Sequence, residues 1–322
     1  MTDGLSRRQV LRLGALAPAA VAFAGVAMPT PAAAATSTLP DSVPSRKKGV
    51  GVARKADQAA YRVQSMTPAW YYTWAADGVE GVQDVAFVPM VWGGAWDQMV
   101  ETQVDAVRDL APGKRPVVLG FNEPDGAKQA NMTVDRALQW WPEVSDLAAL
   151  TVAPAPVHPF DPWPTEFFQR AAELGLGYDY LAMHMYPGGD AQLGLQTPEE
   201  AAAALLDTAD QFHAAYGKPV WITEFALADW GAKVVGHNRY TPDDALAFME
   251  AVLPGLESRP HVARYAWFGA GPLAATSLPL GPSALFDLDG GTTPLGEYYA
   301  RFGAPAPTAA TSPVQAGGAA QQ

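Results

Sequence analysis

Eight apolar runs of strand length, separated by stretches of helical periodicity, limit what this chain can fold into more than any other feature. The runs cover residues 49–53, 69–74, 86–92, 116–122, 151–157, 178–186, 219–225 and 262–268. Several are continuously apolar, as parallel strands buried on both faces must be. Helical patterns fall between them, at 97–110, 133–147, 163–174, 197–216 and 242–256. Thr197-Pro198-Glu199-Glu200 and Thr241-Pro242-Asp243-Asp244 each read as an N-cap followed by proline at the first helical position. The alternation predicts an α/β fold, a (β/α)8 TIM barrel, which typically takes ~250 residues. A doubly wound open sheet is the alternative.

The ends of the chain have a different composition. Ser6-Arg7-Arg8-Gln9-Val10-Leu11 precedes an apolar run to about Met28, and Pro31-Ala32-Ala33-Ala34-Ala35 follows it. That order matches the charged, apolar and small-residue regions of an export signal, and the paired arginines resemble a twin-arginine signal. The expected organisation is a signal peptide at 1–35, a linker at 36–48, one catalytic barrel at 49–302 and a disordered Ala/Pro/Gly-rich tail at 303–322. The expected location is outside the cell or at its envelope. The apolar run is too short for a confident membrane span, and no other approaches ~20 residues.

Composition excludes several classes of function. The chain has no cysteine, so thiolate chemistry and disulfides are impossible. A formal charge of -12 argues against nucleic acid or an anionic membrane as partner. The five histidines show no His-Glu-x-x-His or similar metal spacing, so no metal is expected. No Gly-x-Ser-x-Gly elbow occurs. The Gly269-Ala270-Gly271-Pro272 stretch does not open a helix, and so fails as a dinucleotide fingerprint.

A barrel of this kind does its chemistry at the C-terminal ends of its strands. The fourth run ends in Asn122-Glu123-Pro124-Asp125 and the seventh in Thr223-Glu224-Phe225. A carboxylate ending an apolar strand is expensive to bury, and two of them supply the pair that glycosidic cleavage needs. One must be protonated to serve the leaving oxygen while the other is ionised, so their environments must differ. Salt-bridged residues of the barrel mouth are the plainer reading. On the sixth run His184 and Tyr186 are two apart and share one face, from which they can reach substrate hydroxyls or a catalytic carboxylate. Trp74, Trp92 and Trp267 stand at or near strand ends, as sugar platforms or as core.

Seven ordered motifs carry a resemblance. They are Trp70-Tyr71-Tyr72-Thr73-Trp74, Phe87-Val88-Pro89-Met90-Val91-Trp92-Gly93, Leu119-Gly120-Phe121-Asn122-Glu123-Pro124-Asp125, Gln129-Ala130-Asn131-Met132, His184-Met185-Tyr186, residues 217–225 around Glu224, and Arg264-Tyr265-Ala266-Trp267-Phe268. Together they resemble glycoside hydrolase family 128, the Asl1-like β-1,3-glucanases, within the large clan of retaining (β/α)8 hydrolases. The resemblance implies Glu123 as general acid/base, Glu224 as nucleophile and Asn122 as ligand of the sugar 2-hydroxyl. It implies endo cleavage of β-1,3-glucan with retention and without a cofactor, by what is expected to be a monomer. Two departures bear on chain-length preference. Thr73 stands where asparagine is expected, and the loop 225–240, with Trp230 and His237, is long. A hydrolase of the same clan acting on another β-linked glycan, or a barrel that binds glycan without cleaving it, are the rival readings.

Overall fold

The structure is a computed structural model that describes residues 45–190, 192, 194–271 and 277–304. The expected signal peptide, residues 36–44 of the linker and the tail from 305 onward lie outside the described residues.

Eight parallel strands form the core of the domain: β1 (Lys48–Gly51), β2 (Trp70–Tyr72), β3 (Ala86–Phe87), β4 (Val117–Leu119), β5 (Leu150–Val152), β6 (Leu181–Met185), β9 (Val220–Phe225) and β11 (Val262–Trp267). Six of them pair in the order β3-β2-β1-β11-β9-β6, and β4 pairs with β5. Parallel bridges Met90↔Leu119 and Val152↔Tyr180 join the edges of these two pieces. Val91 N–H to Leu119 O at 3.0 Å and Ala153 N–H to Tyr180 O at 2.9 Å reinforce those seams. The connections complete a ring in sequence order, the barrel that the apolar runs predict.

The helices lie outside the ring. They are α1 (Ala59–Ser65), α2 (Asp97–Arg108), α3 (Val134–Ser145), α4 (Pro162–Glu173), α5 (Pro198–Tyr216), a short α6 (Ala232–Val235), α7 (Pro242–Ser258) and α8 (Pro294–Arg301). No helix follows β2, and an irregular loop leads to β3. Thr197 and Thr241 form full capping boxes with Glu200 and Asp244, satisfying donors that the first helical turn leaves open. A small second sheet, β7 (Gly188–Asp190), β8 (Gly194–Leu195) and β10 (Ala228–Asp229), decorates the mouth after β6 and β9.

Alternation along the strands divides the core in two. Trp70, Tyr72, Val88, Met90, Val117, Leu119, Ala182, Trp221 and Ala266 form one cluster inside the ring, and the larger cluster packs strands against helices. Full burial of one large apolar side chain is worth about 1.5–3 kcal/mol. Gly49 makes room for the indole of Trp70, because a Cβ there would stand 2.2 Å from it.

The linker expected at 36–48 ends earlier than its composition suggests. Lys48 already belongs to β1, fully buried, with its ammonium donating to Tyr299 O at 2.8 Å and Phe302 O at 2.7 Å. Lys47 donates likewise to Leu256 O, Glu257 O and Arg259 O. Both lysines satisfy carbonyls that helix C-termini leave unpaired, so these polar residues are structural. Ser45 N–H donates to Gly303 O at 2.8 Å, tying the two ends of the barrel together.

Candidate active site

The end of β4 is held in an unfavourable backbone shape. Glu123 has φ +43° and directly precedes Pro124. The left-handed region strains a residue with a side chain, costing about 1–3 kcal/mol, and it persists only where the surroundings enforce it. Here they do. Asn122 N–H donates to Trp92 O at 2.9 Å, Glu123 N–H to Ala155 O at 2.7 Å, and Gly126 N–H to Glu123 O at 2.9 Å. The Asp125 carboxylate accepts from Val157 N–H at 2.9 Å and fastens the turn to the loop after β5. Burial pushes the Asp125 carboxyl above its usual range. Trp74, just beyond β2, has φ +58°, so two strained residues face one cleft.

Glu123, His184 and Glu224 each present an atom within 4.8 Å of the other two. His184 Nδ1 lies 2.8 Å from Glu123 Oε1 and 3.6 Å from Glu224 Oε2. The ring is only 1% exposed, and its Nε2 has no hydrogen-bond partner among the described residues. Burial lowers the His184 pKa, but the Glu224 and Glu123 carboxylates together outweigh it and hold it above the usual histidine value. Glu224 is buried at the end of β9. Its Oε1 accepts from Trp74 Nε1 at 2.7 Å, and its Oε2 from Tyr186 OH at 2.5 Å. Tyr72 OH stands 3.4 Å from Oε1 and donates more closely, at 2.9 Å, to Thr223 O. Burial, then the Glu224 charge, pushes both the Tyr72 and Tyr186 hydroxyls well above the usual range, so they remain donors.

The same three groups offer the ligand count of a divalent-cation site. However, the hydrogen-bond donors of Trp74 and Tyr186 already occupy lone pairs on both Glu224 oxygens. That donor set serves a carboxylate held for direct reaction better than one held for a metal.

A cleft of about 430 Å³ opens over these groups, lined among others by Trp74, Trp92, Asn122, Glu123, Tyr186 and Glu224. Asn122 is buried and its Oδ1 has no partner among the described residues, leaving it free for a ligand hydroxyl. Seven of the eight residues expected at the site therefore meet there, with His184 behind the carboxylates.

Trp267 does not, and its expected role as a sugar platform is corrected. Its side chain is 0% exposed, donates Nε1–H to Ser283 O at 2.9 Å and packs against Phe225, Phe248 and Tyr299. Strand alternation is the cause. Ala266 lies inside the ring, so Trp267 points outward to the helices, and the next residue, Phe268, lines the cleft.

Phe268 and Gln129 also line the cleft, without having been expected there, and so does Trp230, from the long loop expected to bear on substrate binding. Phe268 meets Trp74 and Tyr186 edge-on, with centroids 5.9 and 5.6 Å apart, and Tyr186 meets Trp230 at 5.9 Å. The result is a continuous aromatic wall. Trp230 is placed by the long loop after β9, which the buried Asp229 fastens through Arg239. The loop's length was legible, and a tryptophan in it was the available signal.

A sequence model of the glycosyl hydrolase catalytic core matches residues 49–299. The chain belongs to that family. Among solved structures, this glycosyl hydrolase is similar to the subgroup I GH128 endo-β-1,3-glucanase of Amycolatopsis mediterranei, a variant of which was crystallised with laminarihexaose. Identity is 29%, coverage 80% of this chain and 99% of that one, and the TM-score 0.64. It is also similar to the subgroup II GH128 endo-β-1,3-glucanase of Sorangium cellulosum, at 26% identity, 79% and 98% coverage and a TM-score of 0.61. These similarities bear out the family 128 resemblance. Alkali-sensitive linkage protein 1 of Schizosaccharomyces pombe is 28% identical over 193 residues, 56% of this chain and 32% of that protein. The match thus spans about a third of that relative's length.

Proposed function

We propose that this glycoside hydrolase cleaves β-1,3-glucan internally and with retention, through a covalent intermediate on Glu224. The observation that carries the reading is the approach of the Glu123 and Glu224 oxygens to within 4.8 Å of each other. Inverting enzymes keep their carboxyl groups ~6.5–9.5 Å apart to admit a water, whereas retaining enzymes bring them to ~5–5.5 Å. In the first step a Glu224 oxygen bonds to the anomeric carbon. The glycosidic C–O bond breaks, and its oxygen takes the proton of Glu123. In the second, Glu123 takes a proton from water, the water oxygen bonds to the same carbon, and Glu224 is released. Trp74 and Tyr186 hold the attacking carboxylate, and His184 orients Glu123. The named activities of the Amycolatopsis and Sorangium relatives support β-1,3-glucan as substrate and endo action.

The test is product analysis on laminarin beside cellulose, xylan and mannan, with proton NMR of the first sugar released. Laminarin should be cleaved fastest, into a ladder of oligosaccharides, with the β-anomer appearing first. Faster cleavage of xylan or mannan would overturn the substrate, and an α-anomer appearing first would overturn the mechanism.

Export by the twin-arginine route belongs to the same reading and rests on Arg7-Arg8. Replacing both arginines with lysine should hold the protein in the cytoplasm, and unchanged export would reject the route.

A further inference from the structure

Four aromatic side chains are exposed among the described residues: Tyr61, Trp96, Phe160 and Trp230. Three of them rest on another ring, Tyr61 on Phe286, Phe160 on Phe212 and Trp230 on Tyr186. Trp96 has no ring contact among the described residues and is 70% exposed, more than any of the others. Nothing in the fold asks for tryptophan there. It is the N-cap of α2 and makes no side-chain capping bond, where a serine, threonine or aspartate would have capped the helix.

The backbone around this indole is nonetheless fixed. Gly93 exchanges hydrogen bonds with the Gln103 amide, N–H to Oε1 at 2.9 Å and Nε2–H to O at 2.8 Å. The Arg136 guanidinium donates to Ala95 O, and to Asp97 Oδ1 at 3.0 Å. Trp140 Nε1–H donates to the same Asp97 oxygen at 3.0 Å. An exposed apolar face on an immobilised loop is a prepared surface, because the cost of ordering it has been met before a ligand arrives. The loop starts from the cleft. Trp92 lines the cleft, and four residues of chain place Trp96 within ~14 Å of it.

We propose that Trp96 is an outer sugar platform, on which a β-glucan chain leaving the cleft past Trp92 stacks a distant sugar ring. The proposal deepens the reading of the site given above and rests on it. The occupant is the substrate itself, since the apolar C–H face of a pyranose fits a bare indole and needs no charged partner.

The test compares the unaltered protein with Trp96→Ala and Trp96→Phe on laminaritriose, laminarihexaose and laminarin. Trp96→Ala should lower kcat/KM on laminarin and laminarihexaose about tenfold, mainly through KM, and leave laminaritriose unchanged. Trp96→Phe should recover part of the loss. The thermal midpoint should not move, since the indole packs against no other ring. Equal kcat/KM for Trp96→Ala and the unaltered protein on the long substrates would overturn the platform and leave the glucanase reading intact, as would equal losses on all three. Failure of the unaltered protein to cleave any of the three would overturn both.

Discussion

Trp74 donates its indole N–H to Glu224 Oε1 over 2.7 Å, so a residue whose ring lines the cleft also holds the carboxylate at its floor. The contact is made from a strained backbone, φ +58°, which turns the indole back toward β9. Tyr186 grips the other oxygen. With both oxygens engaged, Glu224 has little rotational freedom left, as a group that must attack along one line requires.

Removing only that N–H isolates this function from stacking. Trp74→Phe keeps an aromatic face and loses the bond to a charged acceptor, worth about 1.5–3 kcal/mol. kcat on laminarin should fall about 10- to 150-fold, with KM changed little. A rise in KM at constant kcat would assign Trp74 to sugar stacking alone.

The two carboxylates should fail differently. Glu123→Ala removes general acid/base help, worth about 10²–10⁴ in rate, but should spare aryl glycosides whose leaving group needs no proton. With azide those substrates should give a β-glycosyl azide. Glu224→Ala should lose more, whatever the leaving group, and any turnover restored by azide should appear as an α-glycosyl azide. The same azide anomer from both variants would refute the assignment of roles.

His184 supplies a pH-dependent term to stability. Its folded pKa is held above the unfolded value of about 6.5, so the native state binds the extra proton. The stabilisation is full below about pH 6.5 and is lost as pH rises through the folded value. The gap in unfolding free energy between the unaltered protein and His184→Asn should therefore be widest in acid and narrow toward alkaline pH, measured by urea denaturation. A gap that widens with pH would contradict the pairing with Glu123 and Glu224.

Trp267 should behave as core. Trp267→Ala should cost about 3–5 kcal/mol of stability. The protein that remains folded should bind laminari-oligosaccharides as before, which calorimetric titration can measure. Weakened binding at unchanged stability would return Trp267 to the cleft.

What could be read from the sequence follows from what each signal depends on. The eight strands were legible because burial on both faces leaves a continuous apolar run, and Glu123 and Glu224 because a carboxylate breaks such a run. The choice between Trp267 and Phe268 turns on which parity of β11 faces inward, and two adjacent aromatics hide that parity. Trp230 lies on a loop without periodicity, placed by the pairing of β10 with β7 and by the contact of Asp229 with Arg239. Helix α1 is short and its N-cap residue, Gln58, makes no side-chain capping bond, so it left little trace. Helix α8 is different. Thr293-Pro294 repeats the start signal of α5 and α7, and Thr293 does cap it.

The bond between Ser45 and Gly303 has a practical side. It brings Ser45 and Gly303, at the two ends of the barrel, together beside the start of β1, on the floor opposite the catalytic mouth. A carrier joined directly at Ser45 or at Gly303 would meet that floor and leave the mouth turned outward. Equally, a short peptide could splice Ser45 to Gly303 and let the barrel be opened elsewhere, at an exposed loop on the rim, without breaking a barrel strand.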